Sequence, residues 1–562
     1  TSEDTLNFFH TQLSIISPDG QEYPVILSIE ERALVGLEPW IRSLPPEQDR
    51  NSFRLTLEPG IHLSIQIAPS EEPPTLHASG DSRVVTRPVE DLFLGRTLED
   101  QFNELVTTND PFLIEESDLL THAFICGVTG AGKTVISKAL LVEAALQGIP
   151  VIAIDLKGDI SSLALMMSGE DPEELIPWVS PERGQTREEM AARQAANHFQ
   201  NLRNYGISPS NVEEAKKRIG VNVFTPLSND GFRLALSAFP EPPLNLHDLK
   251  ETDPDGYETV IDFLARQFTS RLSLNKKQYE KARGYVFEII RTCFSRDLPM
   301  HGYQGVATVL EEFRSPNLGI DRIGGMAIDE YISVKDRECL ANATNALLTG
   351  AGRLMYEGWP LSIDTLVSRE FSVGRTPIAI VNVAHLDFVD QAYVVGYIAY
   401  LVYIWMQRLP GTNEPRLVFY VDEIGGGGGK EAFFPSVANS ASKPALNLLL
   451  RKGRGQGVCC VFATQNPGDI DYRGLSNCGI WMVGCLRTRR DRSKIEQGAS
   501  EAEIEFDSAR RYLPTLGPGC FLVKRPSKSW AFVQERWLMS LHRPLAGQEV
   551  RQLKAKYENA AK

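Results

Sequence analysis

The chain of 562 residues carries 58 Lys and Arg against 72 Asp and Glu, a net charge of −14 with a pI near 5.3. That length exceeds one simple core, so two or three structural units are expected, and 23% charged with 42% apolar residues excludes wholesale disorder. The acidic balance excludes a protein coated in basic surface, yet leaves room for a basic channel lining that grips nucleic acid.

In chain order, Thr1-Ser2-Glu3-Asp4 lacks an apolar core and does not read as a secretory signal. Residues 1–68 read as a small β-rich N-terminal domain. Leu13-Ser14-Ile15 and Val25-Ile26-Leu27 flank the turn signal Pro18-Asp19-Gly20. Alternating Phe53, Leu55 and Leu57, then Ile61, Leu63, Ile65 and Ile67, flank Pro59-Gly60 as a second hairpin. Residues 69–84, rich in Pro, Ser and Glu, read as a linker.

From 85 to 562, apolar runs alternate with helical stretches, which predicts an α/β fold with a predominantly parallel sheet. Strands are expected at 123–126, 151–155, 221–224, 378–383, 417–421, 458–463 and 479–484, with mostly helical insertions at about 171–217 and 235–372. The runs 520–523 and 530–533 resemble a terminal hairpin. Residues 392–406 carry no charge, but this stretch falls short of the roughly twenty residues a bilayer needs and ends at Gln407-Arg408. It reads as a buried helix, and no membrane partner is expected. The eight cysteines (126, 293, 339, 459, 460, 478, 485 and 520) show no C-x-x-C spacing and read as reduced, buried thiols of a cytoplasmic protein without a zinc site.

The chemistry is expected to lie where Gly127-Val128-Thr129-Gly130-Ala131-Gly132-Lys133-Thr134 fits the phosphate-loop pattern G-x-x-x-x-G-K-[ST]. The apolar run before it and the helix pattern from Val135 to Gln147 place backbone N–H groups and a positive helix end on one anion. Gly127, Thr129, Gly130, Ala131, Gly132, Lys133, Thr134 and Val135 are the candidate nucleotide-binding residues. Lys133 is expected on the β/γ-phosphates and Thr134 on Mg²⁺. The apolar run 417–421 ends in Asp422-Glu423: Asp422 suits the metal shell, and Glu423 the polarisation of a water for in-line attack. Run 458–463 leads into Thr464-Gln465, an amide suited to report the bound nucleotide. Asp155 and Lys157 follow another strand and suit metal, phosphate, a neighbouring subunit or equally a satisfied turn. Two arginine clusters, 451–454 and 487–492, flank the sensor and following strands. A trans-acting finger is expected at Arg454, with Arg487 second; an ordinary solvated arginine is the competing reading of each. Gly425 to Gly429 suits a mobile coupling loop or a plain connector.

From about 91 to 553 the chain resembles the bacterial branch of HerA-like ATPases, relatives of the FtsK DNA pumps. The resemblance rests on LFLGR (92–96), LLTHAFICGVTGAGKT (119–134), GIPVIAIDLKGD (148–159), FYVDE (419–423) with FFPSVANSASKP (433–444), GVCCVFATQNPGDIDYRGLSNCGIWMVGCL (457–486) and RWLMSLHRPLAGQEV (536–550). It implies a RecA-like P-loop core, a hexameric ring with ATP held between subunits, and nucleotide roles on Lys133, Thr134, Asp422, Glu423 and Gln465. Two departures stand out. The polyglycine run replaces the apolar and aromatic residues usual after the Asp-Glu, and the first 85 residues do not match the small barrel of archaeal members. The expected function is a Mg²⁺-dependent ATPase acting as a homohexameric DNA translocase or helicase motor. It would work beside a nuclease or other effector in DNA processing or antiphage defence. The alternative is an ATP-gated ring that organises an effector without moving DNA.

Overall fold

The computed structural model describes 10–16, 22–28, 33–35, 53–58, 62–67 and 91–562, except 102–103, 181–183, 237–238, 240–249, 252, 299, 301, 370–371, 427–431, 436–439, 472–474, 500–510, 527 and 561–562. Contacts divide the chain into Thr1–Arg83 and Val84–Lys562. In the first unit, β1 (His10–Ile16), β2 (Glu22–Ser28) and β3 (Ala33–Val35) form an antiparallel sheet. A separate hairpin pairs β4 (Phe53–Glu58) with β5 (His62–Ile67), with Phe53 opposite Ile67 and Leu55 opposite Ile65. The residues read as a linker, 69–84, lie outside the described residues.

The second unit is built on one large sheet. Its strands are β6 (Leu92–Gln101), β7 (Glu104–Ile114), β8 (His122–Cys126), β9 (Val151–Asp155), β10 (Ile219–Phe224) and β11 (Thr376–Asn382). They continue with β12 (Leu417–Val421), β13 (Val458–Thr464), β14 (Cys478–Val483), β15 (Cys520–Lys524) and β16 (Ala531–Glu535). Spatial order runs β10-β11-β9-β12-β13-β8-β14-β15-β16-β6-β7. The strands from β10 to β14 are parallel, and those from β15 onward pair antiparallel. Strand β13 separates the phosphate-loop strand β8 from the Asp-Glu strand β12, giving a RecA-like P-loop core. The runs at 520–523 and 530–533 do form a hairpin, but it is no terminal appendage: it extends the sheet and carries β6–β7 on its far side.

Both faces of the parallel part are covered, which is why its strands read as unbroken apolar runs. Alternate residues serve opposite cores. Ile152, Ile154, Phe419, Val421, Cys460 and Phe462 face one core, while Val151, Ala153, Val418, Tyr420, Cys459 and Val461 face the other. The second core receives α1 (Lys133–Leu146), which buries all but two of its 14 residues. The first receives the helical insertion: α2 (Pro254–Ser270), α3 (Lys276–Ser295), α4 (Gly302–Arg314) and α5 (Val334–Leu347). It also holds α6 (Phe388–Gln407). At 20 residues α6 outruns the charge-free stretch read from sequence and is long and apolar enough to cross a membrane. In the fold it is largely buried, with Tyr400 stacked on Phe263 at 4.1 Å between ring centres. The cysteines are free thiols, of which Cys339 is exposed and Cys520 half-buried.

A buried ion pair fastens the antiparallel wing to the phosphate-loop helix. Arg536 Nη2 lies 2.8 Å from Glu143 Oε1, and both side chains are fully buried. Arg536 also donates to the carbonyls of Phe93 and Trp537, and the Phe93 N–H donates to Glu143. Removing one partner strands the other charge in the core. Arg536→Met should therefore destabilise the protein by about 3–5 kcal/mol, and Arg536→Met combined with Glu143→Met by distinctly less. Chemical unfolding midpoints of the two variants check this ordering.

Candidate functional site

Strand β8 ends at Cys126, and the chain turns through Gly127 (φ +157°), Gly130 (φ +81°) and Gly132 (φ +98°) before α1 starts at Lys133. Left-handed φ at Gly130 and Gly132 suits residues without Cβ. Neighbouring segments hold the loop: Val128 N–H donates to Cys485 O (2.9 Å), Gly484 N–H to Cys126 O (2.8 Å) and Gly519 N–H to Ala131 O (3.0 Å). Ala131 is buried, Thr134 and Val135 lie half-buried in the first helical turn, and Lys133 Nζ donates to Val128 O at 3.0 Å. A Cβ on Gly130 would meet nothing within 4 Å, so the loop's outer face is open. The arrangement fits a polyphosphate, which would draw Lys133 out of its own loop.

Thr129 links this loop to the sensor strand, its Oγ1 donating to Gln465 Oε1 at 2.7 Å. Gln465 N–H in turn donates to Glu423 Oε1 at 2.8 Å, and Thr464 Oγ1 to the same oxygen at 3.3 Å. The other oxygen, Oε2, pairs with Lys157 Nζ at 2.8 Å. Glu423 has φ +45°, a conformation that disfavours a side chain by about 1–2 kcal/mol. The next turn is equally tight, since a Cβ on Gly425 would lie 2.5 Å from Thr464 Oγ1.

Asp422 sits beside it with its Oδ1 accepting from Tyr420 OH at 3.0 Å. Burial, followed by the charges of Asp155 and Glu423, pushes its carboxyl from 3.8 up to about 7. Such a carboxylate suits a divalent cation, with the Thr134 hydroxyl as the second candidate ligand. Asp155 resolves as the satisfied turn: it is fully buried and accepts from Gly158 N–H (2.7 Å), Ser161 N–H (2.8 Å) and Ser161 Oγ (2.8 Å). The paired reading of Asp155 with Lys157 therefore splits, because Lys157 points to Glu423.

The two arginine candidates lie at opposite ends of the sheet. Arg454 is exposed in the turn before β13, whose seven residues put about 23 Å of strand between it and Gln465. It does not reach the site of its own chain. Arg487 is exposed just beyond β14, on the phosphate-loop side. Of the polyglycine run, Gly427–Gly429 lie outside the described residues.

Sequence reasoning missed Glu535, at the end of β16. Its Oε2 is buried without a hydrogen-bond partner, and a Cβ on Gly132 would sit 2.4 Å from its Oε1. Burial pushes this carboxyl up to about 9, so it rests uncharged against the loop at neutral pH. No local signal marks it, because its neighbourhood is set by the antiparallel wing.

Residues 105–178, which contain β8, the phosphate loop, α1 and β9, match the family model for the helicase HerA-like C-terminal domain. VirB4 of Thermoanaerobacter pseudethanolicus is similar to this chain, with a TM-score of 0.43, 14% identity, and coverage of 82% of this chain and 98% of that one. The plasmid coupling protein TrwB with the ATP analogue ADPNP gives 0.44, 13%, 82% and 98%. The genome packaging NTPase B204 from Sulfolobus turreted icosahedral virus 2, with ATP-gammaS, gives 0.22, 15%, 33% and 72%. No curated protein matches the sequence.

Burial makes protonated Asp422 the favoured folded form. Its contribution to stability is complete below the ordinary 3.8 and is lost as pH rises through about 7. A cation must displace that proton, so Mg²⁺ affinity of the nucleotide-bound protein should rise between about pH 6 and 8. Calorimetric Mg²⁺ titrations should show the slope in wild type and a flat, weak response in Asp422→Asn.

Proposed function

We propose that the protein is a Mg²⁺-dependent ATP hydrolase that assembles as a homohexamer and drives DNA through the ring as a translocase or helicase motor. It would serve a nuclease or other effector in DNA processing or antiphage defence. The observation that carries the hydrolytic part is the single linked chain Thr129–Gln465–Glu423–Lys157 beside Lys133 and Asp422. It joins a phosphate cradle, a metal carboxylate and a base at one end of the sheet.

In this reading the N–H groups of the loop and Lys133 hold the β- and γ-phosphates, and Thr134 and Asp422 would hold Mg²⁺, which would supply positive charge beside them. Glu423 takes a proton from water as the water oxygen bonds to the γ-phosphorus and the bond to the β–γ bridging oxygen breaks, releasing ADP and phosphate. Gln465 couples the loop to that base. The exposed position of Arg454, far from its own site, supports a role at a neighbour's γ-phosphate.

Steady-state turnover with and without DNA is the direct test. Wild type should be stimulated by DNA of any sequence, with binding that needs the assembled ring and falls with log salt. Glu423→Gln should keep ATP binding and lose turnover. Absence of DNA binding even at low salt would leave a nucleotide-gated scaffold as the function.

Assembly has its own test. Arg454→Ala should bind ATP yet lose roughly 10³-fold or more in turnover. Mixed with Lys133→Ala it should regain part of that activity, since mixed rings contain interfaces where both sound halves meet. No recovery in rings shown to exchange subunits would exclude the trans role.

A further inference from the structure

We infer that Lys157 is a positioning residue that holds the base Glu423 at rest and hands it over when a terminal phosphate arrives. This inference rests on the hydrolytic reading of Glu423. A general base must turn a free lone pair toward water. Here Oε1 accepts twice, from Gln465 N–H at 2.8 Å and Thr464 Oγ1 at 3.3 Å, which leaves Oε2 to meet a water, and Lys157 Nζ lies on that oxygen at 2.8 Å. Lys157 occupies one side of Oε2, and departure of a donor would clear that oxygen for the attacking water.

The three donors differ in their freedom to leave. Gln465 N–H is main chain at the end of β13, and Thr464 is fully buried within that strand. Lys157 is 42% exposed at its side chain, lies on the turn after β9, and carries its charge on a flexible four-carbon stem. Glu423, with φ +45° and an 8% exposed side chain, is the fixed member of the pair. Lys157, Glu423 and Asp422 all act electrostatically on Lys133, so the pair borders the phosphate cradle. A γ-phosphate offers Lys157 more negative charge than one carboxylate does, whereas ADP ends one group short. Transfer of the ammonium to that group releases Oε2 toward the attacking water. The same contact then reports triphosphate and arms the base.

The test is equilibrium binding of ADP and of a non-hydrolysable ATP analogue, each with Mg²⁺, to the full chain. Lys157→Ala should bind ADP as wild type does and the analogue roughly tenfold or more weakly. Lys157→Arg should retain much of the discrimination. Glu423→Gln, whose amide releases the lysine in advance, should bind the analogue more tightly than wild type. That gain should vanish in Lys157→Ala combined with Glu423→Gln. Equal losses for both nucleotides, no loss, or a gain that survives in the double variant would overturn the inference. Should Lys157→Ala fail to fold, as loss of its cooperative thermal unfolding transition would reveal, Glu423→Gln alone decides, and unchanged analogue affinity there would overturn the inference. Turnover in Glu423→Gln would instead overturn the hydrolytic reading itself.

Discussion

Three carboxylates, Asp155, Asp422 and Glu423, arrive in one buried region because adjacent parallel strands end there. Like charges crowded out of water raise one another's energy, and the fold treats each differently. Asp155 is absorbed by the N–H groups and hydroxyl of its own turn. Glu423 is balanced by Lys157 and by donors at the end of the sensor strand. Asp422 has the Tyr420 hydroxyl, and its carboxyl rises to about 7. A metal ion is the remaining partner that this division of charge invites. The loop, the wing and the helical layers can be seen as supports that keep this crowding in place.

Lys138 shows how far that constraint reaches. It is fully buried on α1, donates to Ser162 Oγ at 2.8 Å, and its amine is lowered to about 8 by burial against the pull of Asp155, Asp159 and Asp422. A cation beneath the carboxylates thus moderates them from the helix side. Arg536 and Glu143 do similar service one helical turn further on, where the charge pair ties α1 to the wing.

Much of the parallel core was legible because burial on both faces writes each strand as an apolar run. The expected strands at 123–126, 151–155 and 417–421 coincide with β8, β9 and β12 to within a residue. The antiparallel wing was harder. Strands β6 and β7 mix buried and exposed positions, and their place beside β16 depends on pairing partners more than 400 residues away. The phosphate loop and the Asp-Glu end carry local chemistry and could be named from the residues. Lys157 was visible as a candidate, but its partner was not, since only the β9–β12 adjacency brings it to Glu423. Glu535 had no sequence signal, because its burial against Gly132 belongs to tertiary packing alone.

The separation of Arg454 from its own phosphate loop also bears on symmetry. A two-fold axis can set each finger against the partner's loop, but it closes at two subunits. Under the proposal that Arg454 serves a neighbour, head-to-tail contact also joins the unlike poles of the strand β13 and can continue beyond two subunits. An open stack of such subunits would always hold one complete site fewer than its members, and closure alone would supply the last. Among head-to-tail assemblies, closed rings would then be favoured over open stacks on catalytic grounds, independent of any difference in interface strength.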